Sequence, residues 1–286
     1  AGIVYQQILS KYPKNKKAIQ AYQRLKSGMT SQPSSRDEVP TEKLRELVNI
    51  YTMEKYEEVL LKSEEIIKIY PRSTRVLNII GAANSALKRY EIAIDIYRKA
   101  LTISPKNAEV YNNLGNAFRR KGDPDAAIQN YQWALKFKPD YAEPYNNFGL
   151  ALVDKKQFDA AIKCYRNSLK LKPGYAETYF NIGSALVEKG DYDSAIKNLQ
   201  KALQIMPNHH NACNNMGAAL RAKGELRAAI KSYDSAIKIN PKNMNARYNK
   251  SLLLLNLESL KKRVGPLMNI VGRNPSWTLY PLYLAG

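Results

Sequence analysis

A proline recurs along this chain at a constant interval of 34 residues. The seven positions in this series are Pro71, Pro105, Pro139, Pro173, Pro207, Pro241 and Pro275. Punctuation at a fixed interval of this length is typical of stacked structural repeats, in which each unit buries its apolar face against the next one. The 286-residue chain is therefore predicted to form an array of repeats and not a domain around one central core.

The segment from Ala108 to Tyr141 is the clearest copy of the repeat. Its apolar residues are Tyr111, Leu114, Gly115 and Phe118 in the first half, and Ala127, Ile128, Tyr131, Ala134 and Leu135 in the second. Both sets have spacings of three and four, which predict two amphipathic helices. Between them, Gly122 suits a left-handed helix end, Asp123 an N-cap and Pro124 a first helical turn. The short connection predicts antiparallel neighbours.

Small residues recur where the two helices of each repeat are expected to cross. They are Gly81, Gly115, Gly149, Gly183 and Gly217 on the first helices, and Ala93, Ala127, Ala161, Ala195 and Ala229 on the second. A glycine inside a helix costs about 1 kcal/mol relative to alanine. Its return in five units therefore predicts a close approach of the two helices, with glycine facing alanine.

These residues together resemble the tetratricopeptide repeat. The clearest copy carries its pattern at Tyr111, Leu114, Gly115, Phe118, Ala127, Tyr131, Ala134 and Pro139. The resemblance extends from Pro40 to about Trp277. It implies an all-α fold, a right-handed superhelical solenoid of antiparallel helix pairs.

The repeat period also predicts the organisation of the chain. The seven predicted repeats are 40–73, 74–107, 108–141, 142–175, 176–209, 210–243 and 244–277. The last is degenerate, because Gly265 and Pro266 interrupt its second helix, and we expect it to act as a cap. Residues 1–26 are predicted to form a helical hairpin or a partial repeat, residues 27–39 a flexible linker, and residues 278–286 an apolar tail.

Five asparagines form a second series with the same period. They are Asn113, Asn147, Asn181, Asn215 and Asn249, and we call them the asparagine ladder. Asparagine is a poor helix former, worse than alanine by up to about 0.7 kcal/mol, so its return suggests a role that offsets this penalty. A carboxamide both donates and accepts, so it can bond the backbone of an extended peptide without reading its sequence.

The resemblance to the repeat family implies that the ladder lines a concave inner surface. The ladder is similar to the one in protein O-linked N-acetylglucosamine transferases, where such asparagines contact the backbone of bound polypeptide. Further residues expected on this surface are Asn112, Asn116, Asn146 and Asn214. Specificity is expected from Phe180, Tyr248, Arg119 and Arg221.

Two interpretations other than peptide binding are possible for the inner surface. In the first, the ladder amides bond the adjacent repeat or meet only water. In the second, the surface is a carboxylate clamp of the kind that grips acidic chaperone tails. That clamp needs a lysine one residue before the ladder position, where this chain has Asn78, Asn112, Asn146, Phe180, Asn214 and Tyr248. The clamp is therefore not expected.

The formal net charge of +20 leaves three anionic partners open: an acidic protein segment, an anionic membrane surface or nucleic acid. Nucleic acid is the weakest of these, because the sequence has no recognised binding motif and the core is expected to use the aromatic residues. The alternative is that the excess lysines are solvated on the outer faces of the second helices.

No catalytic constellation is found in the sequence. The two histidines, His209 and His210, are expected in a surface turn without metal-ligand spacing. Cys164 and Cys213 lack a disulfide framework and are predicted to be buried free thiols, which suggests a reducing cytoplasm. No metal, no cofactor and no membrane-spanning segment is predicted.

The sequence therefore predicts a non-catalytic protein-interaction module that binds an extended segment of another protein in its concave groove. Two alternatives stay open. The array could target the substrates of a larger glycosyl-, sulfo- or methyltransferase, or it could be a scaffold that assembles with its own copies into a homo-oligomer.

Overall fold

The structure, a computed structural model, describes residues 38–271, and its helices confirm the predicted all-α fold. Thirteen α-helices lie within these residues: α1 (Thr41–Thr52), α2 (Tyr56–Ile69), α3 (Thr74–Ala86), α4 (Tyr90–Ile103), α5 (Ala108–Lys121), α6 (Pro124–Phe137), α7 (Ala142–Asp154), α8 (Phe158–Leu171), α9 (Ala176–Lys189), α10 (Tyr192–Ile205), α11 (His210–Ala222), α12 (Leu226–Ile239) and α13 (Met244–Val271). The chain divides into two compact units, Ala1–Lys106 and Asn107–Gly286. We call them the first unit and the second unit.

Each predicted repeat from residue 40 to residue 243 is one pair of helices. The turn between α5 and α6 has the predicted chemistry: Gly122 ends α5 with a φ of 96°, and Pro124 is the first residue of α6. The side chain of Asp123 accepts a hydrogen bond of 2.9 Å from the backbone N–H of Ala126. This bond satisfies one of the free N–H groups at the start of the helix.

Glycine sets the distance between the two helices of a pair, but its partner is an aromatic ring and not the predicted alanine. A Cβ on Gly115 would lie 2.6 Å from Cε1 of Tyr131, which is fully buried on α6. The same contact joins Gly81 to Tyr97, Gly149 to Tyr165 and Gly217 to Tyr233, and in the remaining pair Gly183 meets Leu199. The recurring alanines of the second helices are also fully buried. Only a residue without a Cβ leaves room for the ring.

Successive pairs stack through their first helices. In the second unit, α5 contacts α7, α7 contacts α9, α9 contacts α11 and α11 contacts α13, and each second helix also packs on the first helix that follows it. The first helices therefore line one common side of the unit, which we call the inner face. The second helices lie on the other side, where solvent reaches their lysines.

Ion pairs join consecutive repeats at the exposed edge of the second unit. Lys155 pairs with Asp125, Lys189 with Asp159, and Lys223 with Asp193. In the third pair, at 2.7 Å, the hydrogen bond from Lys223 lowers the pKa of the Asp193 carboxyl, and the bond to Asp193 raises the pKa of the lysine. These groups are exposed, so such pairs contribute little to stability.

The two ends of the described region differ from the predictions. Val39, assigned to the linker, is buried and packs with Leu47, Ile66 and Val76. The predicted interruption at Gly265 and Pro266 is wrong, since α13 runs without a break from Met244 to Val271. A helical backbone can pass through a proline when it gives up one hydrogen bond. The predicted segment 1–26, most of the linker and the tail 278–286 lie outside the described residues.

We expect Gly115→Ala to lower the free energy of unfolding by about 1–3 kcal/mol, because the new methyl group overpacks the ring of Tyr131. The matched control is Gly174→Ala, since a Cβ at Gly174 meets nothing within 4 Å. Urea denaturation followed by circular dichroism measures both variants. Equal stability of the two would contradict the proposed role of the glycine.

Candidate functional site

The asparagine ladder lies on the inner face of the second unit, in two neighbouring rows. Asn113, Asn147, Asn215 and Asn249 are partly buried and Asn181 is buried. The row one residue earlier is more deeply placed, since Asn112, Asn146 and Asn214 are 3–9% exposed. Both rows are on first helices, whose contacts with each other bring the amides of consecutive repeats within reach.

Amides of the two rows bond each other across the repeats. Nδ2 of Asn147 donates to Oδ1 of Asn112 at 2.9 Å. Nδ2 of Asn181 donates to Asn146 at 3.0 Å, and Nδ2 of Asn249 donates to Asn214 at 3.0 Å. One N–H of these ladder amides therefore bonds the preceding repeat, which is the first alternative that the sequence left open. These bonds hold the amides in fixed orientations.

The ladder amides keep hydrogen-bonding capacity beyond these contacts. Each carboxamide has two N–H donors and a carbonyl oxygen that can accept two bonds. Among the described residues, no protein donor reaches the Oδ1 atoms of Asn147, Asn181 and Asn249. Each of the three side chains thus retains one N–H and its oxygen, which is the pair of groups needed to bond an extended backbone.

Phe180 interrupts this pattern of bonds. It occupies the position that Asn112, Asn146 and Asn214 have in other repeats, and its ring offers no acceptor. Asn215 donates instead to the hydroxyl oxygen of Ser184 at 2.9 Å. The Ser184 hydroxyl in turn donates to the backbone oxygen of Phe180 at 2.9 Å. The substitution therefore redirects an amide and leaves an apolar ring on the inner face.

An open groove of about 580 Å³ lies at this interruption. Its polar lining includes Asn181, Ser184, Asn214, Asn215 and Asn249, and its apolar lining includes Leu150, Val153, Phe180, Val187 and Ala218. The charged side chains Asp154, Lys156 and Glu188 also line it. Ligand pockets commonly have volumes of about 300–1,000 Å³ and combine apolar walls with a few polar groups.

The other predicted site residues are placed less uniformly. Arg119 forms an ion pair with Asp154 at 3.1 Å, and Asn116 accepts a 2.8 Å hydrogen bond from the hydroxyl of Tyr131. Arg221 is partly buried, and Tyr248 is 68% exposed. None of these four is among the groove-lining residues within the described part of the chain. Of the predicted site residues, the groove brings together Phe180, Asn214 and the ladder residues Asn181, Asn215 and Asn249.

His209 contacts Phe180, a neighbour relation that the sequence analysis did not predict. Its ring lies 4.5 Å from the ring of Phe180, measured between centroids. Nδ1 accepts a 3.2 Å bond from the N–H of Ala212, and Nε2 is 3.3 Å from a carboxylate oxygen of Glu177. The residue lies in the predicted connection between two repeats, but its side chain is only 9% exposed. Its place just before α11, where a side-chain acceptor caps the helix, was the available signal.

Trp133 is an exception to the expectation that the core uses the aromatic residues, which the fully buried Tyr97, Tyr131, Tyr165 and Tyr233 follow. It is 44% exposed and stacks on Phe137 at 5.7 Å, while Tyr111 lies 5.6 Å from Phe137. The ammonium of Lys136 lies 4.4 Å from the Trp133 ring. This cluster is on the second unit, away from the groove-lining residues.

Three other features bear on function: metal-binding groups, long apolar helices and cysteine thiols. The described residues contain no cluster of His, Cys, Asp or Glu suited to a metal ion, and no helix among them is long and apolar enough to cross a membrane. Both cysteines are free thiols; Cys213 is buried as predicted, but Cys164 is only partly buried. Burial raises the pKa of Cys164 to about 11, which disfavours the reactive thiolate.

Comparisons with known proteins agree with this architecture. The family model described as tetratricopeptide repeat matches residues 72–140, 140–208 and 174–242. No curated protein sequence matches the chain. Among solved structures, MamA is 28% identical with a TM-score of 0.52, over 57% of this chain and 95% of MamA.

Two further solved structures are similar in fold. YrrB, described as a TPR protein with an unusual peptide-binding site, is 23% identical with a TM-score of 0.52, over 66% of this chain and 97% of YrrB. PilF of Pseudomonas aeruginosa is 17% identical with a TM-score of 0.65, over 76% of this chain and 98% of PilF.

Paired helices at a fixed period, with an inner face of ordered amides, define a helical repeat protein of the kind that interacts with other proteins. The residues that the family model matches cover more than half of the sequence, and they identify the repeat family. The chain belongs to the tetratricopeptide repeat family.

Two tyrosines near the groove allow a matched test of the inner-face hydrogen bonds. The hydroxyl of Tyr131 bonds Asn116, whereas that of Tyr165, where Leu150 replaces the asparagine, is buried with no partner among the described residues. Burial raises the pKa of Tyr165 above its usual value, so the hydroxyl stays protonated.

We expect Tyr131→Phe to lower the free energy of unfolding by about 1 kcal/mol, because it removes a hydrogen bond. Tyr165→Phe is expected to leave stability unchanged or to raise it, because an unbonded buried hydroxyl costs about 1–3 kcal/mol. Urea denaturation compares the two. Similar losses in both variants would show that the different surroundings of the hydroxyls have no effect.

Proposed function

We propose that the inner face of the second unit binds an extended segment of another protein. Family membership supports a protein-interaction module, and the groove with its ladder amides supports the location. The observation that carries the proposal is the unused donor and acceptor of ladder amides that are held in place by bonds to the preceding repeat. An amide that is already oriented loses less conformational entropy when it binds.

The mechanism would be capture of the ligand backbone. A peptide group presents one N–H and one C=O, and a ladder carboxamide offers the complementary oxygen and N–H. Adjacent packed helices lie roughly 8–10 Å apart, and an extended chain advances about 3.3–3.6 Å per residue. About every third peptide group of one extended chain would therefore bond a successive first helix. Each such bond contributes about 0.5–1.5 kcal/mol, so affinity would grow with the number of repeats that the ligand contacts.

The ligand need not be acidic. The groove is lined by Asp154 and Glu188 as well as Lys156, so it does not repel a neutral or mixed-charge segment. The exposed Lys163, Lys197 and Lys231 lie on second helices, away from the groove. In this proposal the array acts by binding and not by catalysis, and the free thiols support a reducing compartment such as the cytoplasm.

A double substitution tests the amides directly. We expect Asn181→Ala with Asn215→Ala to weaken binding of partner proteins about tenfold, because two hydrogen bonds to the ligand backbone are lost. The measurement is affinity capture on the full chain from a lysate of the source organism, with partners quantified by mass spectrometry.

The matched control is Asn130→Ala with Asn198→Ala. These asparagines lie on second helices, where each donates to its own helix backbone at 2.8 Å. Circular dichroism and thermal unfolding confirm that both double variants are folded. Recovery of the same partners in equal amounts by the ladder variant and the control would refute the proposed site.

A further inference from the structure

The inner face of the second unit changes from polar to apolar over two repeats. The position of Asn116 in one repeat is taken by Leu150 in the next repeat. The position of Arg119 is taken by Val153 in the next repeat and by Val187 in the one after it. The polar character returns at Arg221. Leu150, Val153 and Val187 all line the 580 Å³ groove with Phe180. These residues form an apolar window, the name we use below.

Phe180 is at the centre of this window and is held there. Its ring lies against that of His209, at 4.5 Å between centroids. His209 is itself fixed by the N–H of Ala212 and by Glu177, and it is 9% exposed. The phenylalanine is therefore supported from behind, so its exposed edge is available to a ligand.

Two ladder amides line the same groove as the window. Asn181 follows Phe180 and donates to Asn146 at 3.0 Å, while Asn215 is redirected to Ser184 at 2.9 Å. Elsewhere the residue before the ladder position accepts a bond from the next repeat, and the inner face is continuous in polarity. The window is the place where that continuity is interrupted within the described second unit.

We propose that the apolar window is the specificity subsite of the groove, and that it takes one large apolar side chain, such as Leu, Met or Phe, from an extended segment of a partner protein. The inference rests on the proposed function, in which Asn181 and Asn215 hold the ligand backbone. The groove lining has no excess positive charge that would select an acidic tail, because Asp154 is paired with Arg119 and Glu188 lines the groove with Lys156. The hydrogen bonds to the ligand backbone do not depend on its sequence, and the apolar window adds a contact that does.

The substitution Phe180→Asn tests this subsite, and because the ring also packs against the buried Leu199, Ala202 and Ala212, folding is checked in the same experiment. Asparagine is the residue at the same position in four other repeats, and it would restore an acceptor for Asn215. The control is Leu171→Asn, which replaces an apolar residue that is 42% exposed on a second helix. Phe180→Ala is a second variant, and circular dichroism confirms the folding of all three.

The probe is a displayed library of random 12-residue peptides, selected on the full chain. Wild type and Leu171→Asn are expected to enrich peptides with one Leu, Met or Phe in a common register. Synthetic copies of these peptides should bind Phe180→Asn about ten- to a hundredfold more weakly by fluorescence anisotropy. Copies with that residue changed to Ala should bind wild type and Phe180→Asn equally.

The outcomes separate the two proposals. If Phe180→Asn enriches the same anchored peptides with equal affinity, while Asn181→Ala with Asn215→Ala loses them, the subsite is refuted and the groove stands. If wild type enriches acidic peptides, the subsite is also refuted. If wild type enriches no peptide, both proposals fail. If wild type self-associates in sedimentation and Phe180→Asn does not, a second copy occupies the window, which overturns the partner assigned here.

Discussion

The close approach of glycine and a buried ring within each helix pair is the constraint on which the rest of the structure depends. Because Gly115, Gly149 and Gly217 have no Cβ, the tyrosine of the second helix lies directly against the first helix. The same spacing in successive pairs brings each first helix of the second unit into contact with the next. Residues one period apart consequently become neighbours, and a pattern in the sequence becomes a row on a surface.

The asparagines of the inner face combine a structural role with the proposed binding role. The bond from Asn147 to Asn112 links two repeats, and the same bond orients the remaining N–H and oxygen of Asn147. The two interpretations left open by the sequence are thus compatible. A carboxamide has enough donors and acceptors for a neighbour and for a ligand.

Differences in sequence between the repeats make one part of the inner face more apolar than the rest. Phe180 removes an acceptor, Leu150 removes the partner that a tyrosine hydroxyl has at Asn116, and both changes fall beside one groove. Charge is arranged differently: Asp125, Asp159 and Asp193 pair with lysines of the following repeat, so exposed lysines of the second helices dominate the outer side. The binding proposed for the groove therefore does not depend on the net charge of the chain.

The sequence by itself determined the repeat period, the helix pairs, the turn at Gly122 and Asp123, and the family. These signals are local, because helix periodicity and capping depend on residues within about one turn of each other. Only the tertiary structure decided that glycine faces tyrosine, that ladder amides bond residues one repeat away, that His209 supports Phe180, and that α13 continues through Pro266. The first three are contacts between side chains on different helices, and which atoms meet depends on how the helices pack. In α13, the helical backbone continues through Pro266 because a proline weakens a helix without always ending it.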